Sequence, residues 1–382
     1  MLEPFHAMEI LARSKALEAD GRRICHLELG EPSAPPAPRV LEAARAALAA
    51  GQPYTHAKGQ LALRRGLADY YRTQHGAEVD PEHIVVTMGS SAGFILAFLG
   101  GFSRTAKIAV TQPGYPAYLN TLAGLGLGVV EIPLSAAEGW QLSADAIAAA
   151  HAREPFDGLL FASPANPTGA AVARDGLAEI MAVCRKLGVR LISDEIYHGL
   201  DYRGASSSAL ELGHDAIVIN SFSKYYCMTG WRIGWMVLPQ ELVRKVEMLQ
   251  QSLFISAPTL SQVAGLVALG ERDYAEARKA EYARNREVLG RGLTALGFSA
   301  TMPADGAFYA YADASAFTND TMSFCKDLLE LAGVAATPGI DFDRRGGSRF
   351  VRFSYAGSAA TIDEAIDRMD RFIRRPTCGP LP

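Results

Sequence analysis

Between residues 84 and 222 the chain alternates two kinds of apolar segment. Short runs read as strands: IVVT at 84–87, KIAVT at 107–111, GVVEI at 128–132, GLLFA at 158–162, RLISDE at 190–195 and AIVINSF at 216–222. Longer segments at 91–102, 115–125 and 175–188 read as helices, the last carrying Arg185 and Lys186 in its final turn and Gly188 as its stop. The strand runs are nearly continuous in apolar character, the pattern of strands covered on both faces. Such alternation with short connections specifies an α/β fold, a mostly parallel central sheet flanked by helices.

The pattern differs on either side. ELGEPSAPPAP at 28–38 holds four prolines and cannot be helix interior, and helical patterns follow at 38–50 and 59–75. From about residue 270 come a long charged helix (271–297), AFYAYAD, a helix at about 321–332, RFVRFSYA and an amphipathic helix at 361–373, which together read as a smaller α+β domain. A chain of 382 residues exceeds the size at which one core keeps growing. The expected division is an N-terminal segment 1–40 packing on the small domain and the active site, a large domain 41–280 and a small C-terminal domain 281–382.

Several function classes are excluded early. A net charge of −4 gives no electrostatic case for nucleic acid or an anionic membrane. Cys25, Cys184, Cys227, Cys325 and Cys378 are scattered without CxxC spacing, so neither a metal site nor a disulfide framework is expected, and a reduced, cytoplasmic setting follows. MLEPFHAMEILARSKALEADG carries charges throughout and is not expected to be a signal peptide. No apolar run reaches about 18 residues, so no membrane span is expected.

Four polar segments follow expected strands: GSSAG (89–93), ASPANPTG (162–169), SDEIYHG (193–199) and NSFSKYYCMTGWRIGW (220–235). Ligands of open α/β sheets bind beyond the carboxyl ends of the strands, where such segments converge. Lys224 lies in a Ser-rich turn eight residues before Arg232, a cation expected to lower its pKa and free its amine. Ser90, Ser91, Ser221 and Ser223, with amides at the start of the 91–102 helix, suit a phosphate. Asp194 ends a buried strand and needs a cation or donors. An amine, a phosphate pocket and a buried acid are what pyridoxal phosphate requires.

These segments resemble those of fold-type I pyridoxal-phosphate enzymes, and within them the class I/II aminotransferases of the aspartate aminotransferase superfamily. LELGEP (27–32), YTHAKGQLALR (54–64), NPTG, DEIY, SFSKYYCMTGWRIG (221–234) and VRFSYA (351–356) stand in family order over nearly the whole chain. The resemblance implies that the large domain binds pyridoxal 5′-phosphate as an imine of Lys224, which then shuttles the substrate's Cα proton. It implies that Asp194 holds the pyridine nitrogen protonated, that Tyr197 and Asn166 bond the phenolic oxygen, and that Tyr115 stacks on the ring. Ser90, Ser91, Ser221, Ser223 and Arg232 would grip the phosphate, with Tyr54 reaching the phosphate of the partner subunit in a homodimer. Arg352 would pair with the substrate α-carboxylate, helped by Asn166 and the Gly30 backbone. The implied reaction moves an amino group from an L-amino acid to a 2-oxo acid in two ping-pong half-reactions.

Taken singly, these residues have plainer readings. A lone lysine is a solvated side chain, Asp194 a helix cap, NPTG a turn, Tyr54 and Tyr115 packed aromatics, and Arg352 a structural ion pair. Their joint order is what outweighs those. GSSAG also fits the hydrolase nucleophile elbow, yet no histidine follows His214, where such a fold would place its base. GLGLG at 124–128 follows a helix and precedes a strand, the reverse of a dinucleotide loop, and neither HExxH nor a Walker A pattern occurs. A non-catalytic regulator would need a DNA-binding domain for which no sequence is left over. A C–S β-lyase on the same fold is the alternative within the enzyme class. No lysine stands beside Ser90 and Ser91, where the resemblance implies one in some aspartate-specific members, which weakens but does not remove the case for a dicarboxylic donor. The 10–24 segment, with Leu11, Arg13 and Leu17, is expected to act as a lid of mixed character.

Overall fold

The computed structural model describes residues 4–204, 206–300 and 304–374; Cys378 lies outside them. Its largest element is a seven-stranded sheet in the order Ile84–Thr87, Gly234–Val237, Ile217–Ser221, Arg190–Asp194, Gly158–Ala162, Lys107–Gln112, Gly128–Pro133. Gly234–Val237 runs antiparallel to both its neighbours and the other strands are parallel to one another. The α/β architecture with a mostly parallel sheet is therefore as the sequence leads one to expect.

Successive side chains of each strand enter opposite cores, which is why the runs are apolar throughout. Ile108, Val110, Leu160, Ile192, Ile217, Ile219 and Met236 pack with the helices Gly89–Gly101 and Gln240–Leu253. Ala109, Leu159, Phe161, Leu191, Val218, Trp235 and Val237 pack on the other face, with Leu61–His75 and Arg174–Leu187 among the covering helices. Gly188 ends the latter in the left-handed conformation.

A second, antiparallel sheet joins Thr337–Pro338, Phe350–Ser354, Tyr309–Asp313 and Ser299–Ala300. Helices Arg272–Leu296 and Ala359–Ile373 pack on each other beside it. The segment expected as one helix at 321–332 is α-helical over Thr321–Asp327 and widens to a π turn over Leu328–Ala332 before Gly333 stops it at φ 66°. The amino-terminal segment joins this region: Cys25–His26 pairs in parallel with Val334–Ala335, and the Leu27 carbonyl accepts the Ser354 N–H at 2.7 Å. Cys25, Cys184, Cys227 and Cys325 are buried free thiols, and no described helix is long and apolar enough to cross a membrane.

Trp235 is 1% exposed and donates from Nε1 to the Tyr71 hydroxyl at 3.0 Å. Trp235→Ala is expected to cost about 3–5 kcal/mol through lost burial and the cavity left behind, read as a lower denaturant midpoint; an unchanged midpoint would show that this face of the sheet contributes little to stability.

Candidate active site

One cavity of about 220 Å3 opens where the parallel strands end: Ala162 and Asp194, the last residues of their strands, both line it. Of the residues expected to form the site, all but Ser221 and Tyr54 stand in its wall. Ser221 is buried behind Ser223. Its hydroxyl lies 2.9 Å from both the Ser223 Oγ and the Ile233 carbonyl and accepts the Ser223 N–H at 3.1 Å, so it braces the turn. Tyr54 is 80% exposed on the surface.

Lys224 is carried into the cavity by the turn after Ile217–Ser221, and its Nζ donates to the Gly30 carbonyl at 2.6 Å. Its pKa is lowered to about 8. Arg232 lowers it as expected, but is not the largest cause. Burial is the first cause, Arg352 and Arg232 add to it, and the carboxylates of Glu31 and Asp194 oppose it. Gly30 has to lack a side chain, because a Cβ there would meet the Tyr309 hydroxyl at 1.8 Å.

Asp194 is fully enclosed, and burial pushes its carboxyl up to about 6. The Tyr118 hydroxyl donates to Oδ2 and the Ile196 N–H to Oδ1 at 3.1 Å, both pulling the pKa back down. Tyr118 is a site residue that no sequence motif marks; its one signal is its place one turn after Tyr115, facing the same cavity. Tyr197 bonds the Tyr309 hydroxyl at 2.8 Å. Tyr309 went unread because only the sheet register brings it beside Arg352.

Helix Gly89–Gly101 points its first turn at the cavity through Ser90 and Ser91. A Cβ at residue 89 would lie 2.4 Å from Arg232 Nη2, so this glycine lets the guanidinium lie against the helix start. Arg232 itself sits at φ 51°, ψ 52°, a left-handed conformation that a non-glycine residue adopts at a cost. Amides and a guanidinium at one helix N-terminus make an anion cradle.

A second cradle surrounds Arg352, which is 3% exposed. Nη1 donates to Asn166 Oδ1 at 2.9 Å, and Nη2 donates to the Glu28 carbonyl and, at 3.2 Å, to Thr337 Oγ1. The rings of Tyr309 and Phe342 cover the guanidinium at 4.4 and 4.7 Å, fixing its plane. Among the described residues its buried Nε has no partner, and no carboxylate pairs with this cation. The lid expectation is corrected as well. Phe5, Ala7 and Met8 line the cavity, whereas Arg13 pairs with Glu330 on the surface and Leu17 packs in the core, so the covering residues precede the 10–24 segment. No histidine lines the cavity, which leaves Ser91 without the base that hydrolysis requires.

A low-pKa amine, an enclosed acid and two anion cradles on one cavity define an enzyme of amine chemistry on small anionic substrates. Comparison with known proteins narrows this. The family model "Aminotransferase class I and II" matches residues 22–369. A valine–pyruvate aminotransferase of Mycobacterium tuberculosis is 44% identical, covering 97% of this chain and 96% of the relative. A (5-formylfuran-3-yl)methyl phosphate transaminase of Methanocaldococcus jannaschii is 33% identical over 98% of each. A crystal structure of an aminotransferase from M. tuberculosis superposes with a TM-score of 0.94 at 43% identity, covering 97% of both chains. The chain belongs to the class I and II aminotransferases and transfers amino groups between amino acids and 2-oxo acids.

With its pKa near 8, Lys224 should be about one-tenth neutral at pH 7 and half neutral at pH 8. Amine acylation of the cofactor-free protein, followed by peptide mapping, is expected to titrate at Lys224 near pH 8; a Lys224 midpoint above 10 would contradict the burial argument.

Proposed function

We propose that this aminotransferase works through pyridoxal 5′-phosphate attached to Lys224, and that it takes L-amino acids with medium-sized apolar side chains. The observation that carries the reading is that Lys224, Asp194 and both anion cradles face one cavity. The residues fit the cofactor: Ser90, Ser91, Ser223 and Arg232 for its phosphate, Asp194 for its ring nitrogen, Tyr197 and Asn166 for its phenolic oxygen, and Tyr115 for its ring face. The cofactor, when bound, supplies an electron-accepting ring for the charge left as the Cα proton departs.

The chain's own residues do the rest. The donors of Arg352 left unfilled at the cavity wall take the substrate carboxylate in a plane set by Tyr309 and Phe342. That fixes Cα beside Lys224, whose amine, neutral at mildly alkaline pH, accepts the Cα proton and returns it. Asp194 stays ionised by holding Tyr118 and the Ile196 amide as donors. Phe5, Met8, Leu29 and Ile196 offer the side chain an apolar wall and no cation, in keeping with the valine–pyruvate relative.

The same reading includes a cytoplasmic homodimer and the three-part division 1–40, 41–280 and 281–382. Helix Thr259–Ala268 packs against Pro38–Ala49 and Leu61–His75, these three helices leave Leu48, Leu61 and Leu266 exposed, and the exposed Tyr54 lies on the segment joining the last two. Thr259 Oγ1 ties the strand of chain before Tyr54 to that helix by donating to the Pro53 carbonyl at 2.6 Å. A second copy seated there would cover these apolar side chains and receive Tyr54.

The test is a spectroscopic screen of common amino acids against the cofactor-loaded protein. Loss of the visible cofactor band with release of the matching 2-oxo acid is expected for valine-like donors. Pyruvate and ammonia from cysteine conjugates without an oxo-acid partner would point to β-elimination instead. Lys224→Ala should cut kcat by at least about 10³-fold, and retention of full turnover would refute its role. Arg352→Lys, which loses the planar fork, should weaken amino-acid binding about 10–100-fold with a smaller change in kcat; unchanged KM would remove Arg352 from carboxylate recognition.

A further inference from the structure

Helix His6–Ala19 starts without a cap of its own, since Phe5 offers no side-chain acceptor. The first amides of a helix have no partner within it. Here Asp341, far along the chain, supplies both: Oδ1 accepts from the His6 N–H and Oδ2 from the Ala7 N–H, each at 2.9 Å. A carboxylate at this position is favoured by hydrogen bonding and by the helix dipole. The turn so held is the one that meets the cavity, through Phe5, Ala7 and Met8. Phe5 also packs edge-on against Tyr115, with ring centroids 6.2 Å apart.

The next residue extends the link. The Phe342 ring lies 4.7 Å from the Arg352 guanidinium, and its carbonyl accepts the N–H of Gly114, the neighbour of Tyr115, at 2.9 Å. One dipeptide thus touches the lid, the carboxylate cradle and the ring-stacking loop.

We propose that Asp341 is a positioning residue for substrate selection: by capping the first helix from across the fold, it holds Phe5, Ala7 and Met8 as the apolar wall that reads the donor's side chain. The proposal rests on the functional reading above and adds a residue to it.

The experiment compares valine and alanine as donors for the full-length, cofactor-loaded enzyme and its Asp341→Ala variant. For valine, kcat/KM is expected to fall about tenfold, the effect of one lost helix cap, through KM rather than kcat. For alanine, whose side chain is a single methyl group, the change should stay within about twofold. Asp341→Asn keeps one acceptor oxygen and should fall between. Amide exchange over residues 6–12, measured without cofactor, should quicken in Asp341→Ala. Phe5→Ala leaves the cap in place, should reproduce the loss of valine preference with unchanged exchange, and serves if Asp341→Ala fails to fold. Equal losses for both donors, an unchanged valine-to-alanine ratio, or a Phe5→Ala enzyme with wild-type selectivity would overturn the proposal. A wild-type protein that consumes no amino donor would instead overturn the functional reading, and this proposal with it.

Discussion

Removing charge from water is the expense around which this structure is organised. Lys224, Asp194 and Arg352 all lie inside the fold, and each is accommodated differently. Asp194 keeps its charge through the Tyr118 hydroxyl and the Ile196 amide. Lys224 has the Gly30 carbonyl as its acceptor and gives up its proton readily. Arg352 is held by three acceptors and two aromatic faces, with two of its five N–H donors left over among the described residues. None of these arrangements is local. Their members come from the large sheet, the small sheet and the amino-terminal segment, so the cavity exists only when all three are assembled.

The sheet was legible in the sequence where its physics is local. Ile84–Thr87 and Gly158–Ala162 fall on the expected boundaries because a strand packed on both faces has to be apolar throughout. The helices Arg174–Leu187 and Arg272–Leu296 stop at Gly188 and Gly297, which take left-handed conformations. Strand Gly234–Val237 is hidden in the sequence because its first two residues are the end of the motif that contains Lys224. Helices Gln240–Leu253 and Thr259–Ala268 were not assigned either, and His6–Ala19 offered only a weak signal because its cap is supplied by residue 341.

The candidate site shows the same division. Residues in short motifs at strand ends converge because the parallel topology sends every strand end to one edge of the sheet. Residues that act by partnering those were hidden. Tyr309 stands two residues before Tyr311, which is paired with Arg352 in the antiparallel register, and that diagonal relation places its ring over the guanidinium. Nothing in AFYAYAD alone singles it out. The lid was placed too late in the chain for a similar reason: Leu11, Arg13 and Leu17 have the composition of a lid, but Arg13 and Leu17 turn to Glu330 and the core.

The pairing of Cys25–His26 with Val334–Ala335, and of Leu27 with Ser354, also governs the order of assembly. During synthesis the amino-terminal segment leaves the ribosome first, while its partners emerge some three hundred residues later. Contacts of such sequence separation form slowly and late. Until then Leu27 and Ile24, both buried in the finished molecule, remain uncovered. A nascent chain of this kind therefore carries an adhesive segment uncovered until Phe350–Ser354 has been made, and the cavity that Gly30 and Arg352 share cannot close before then.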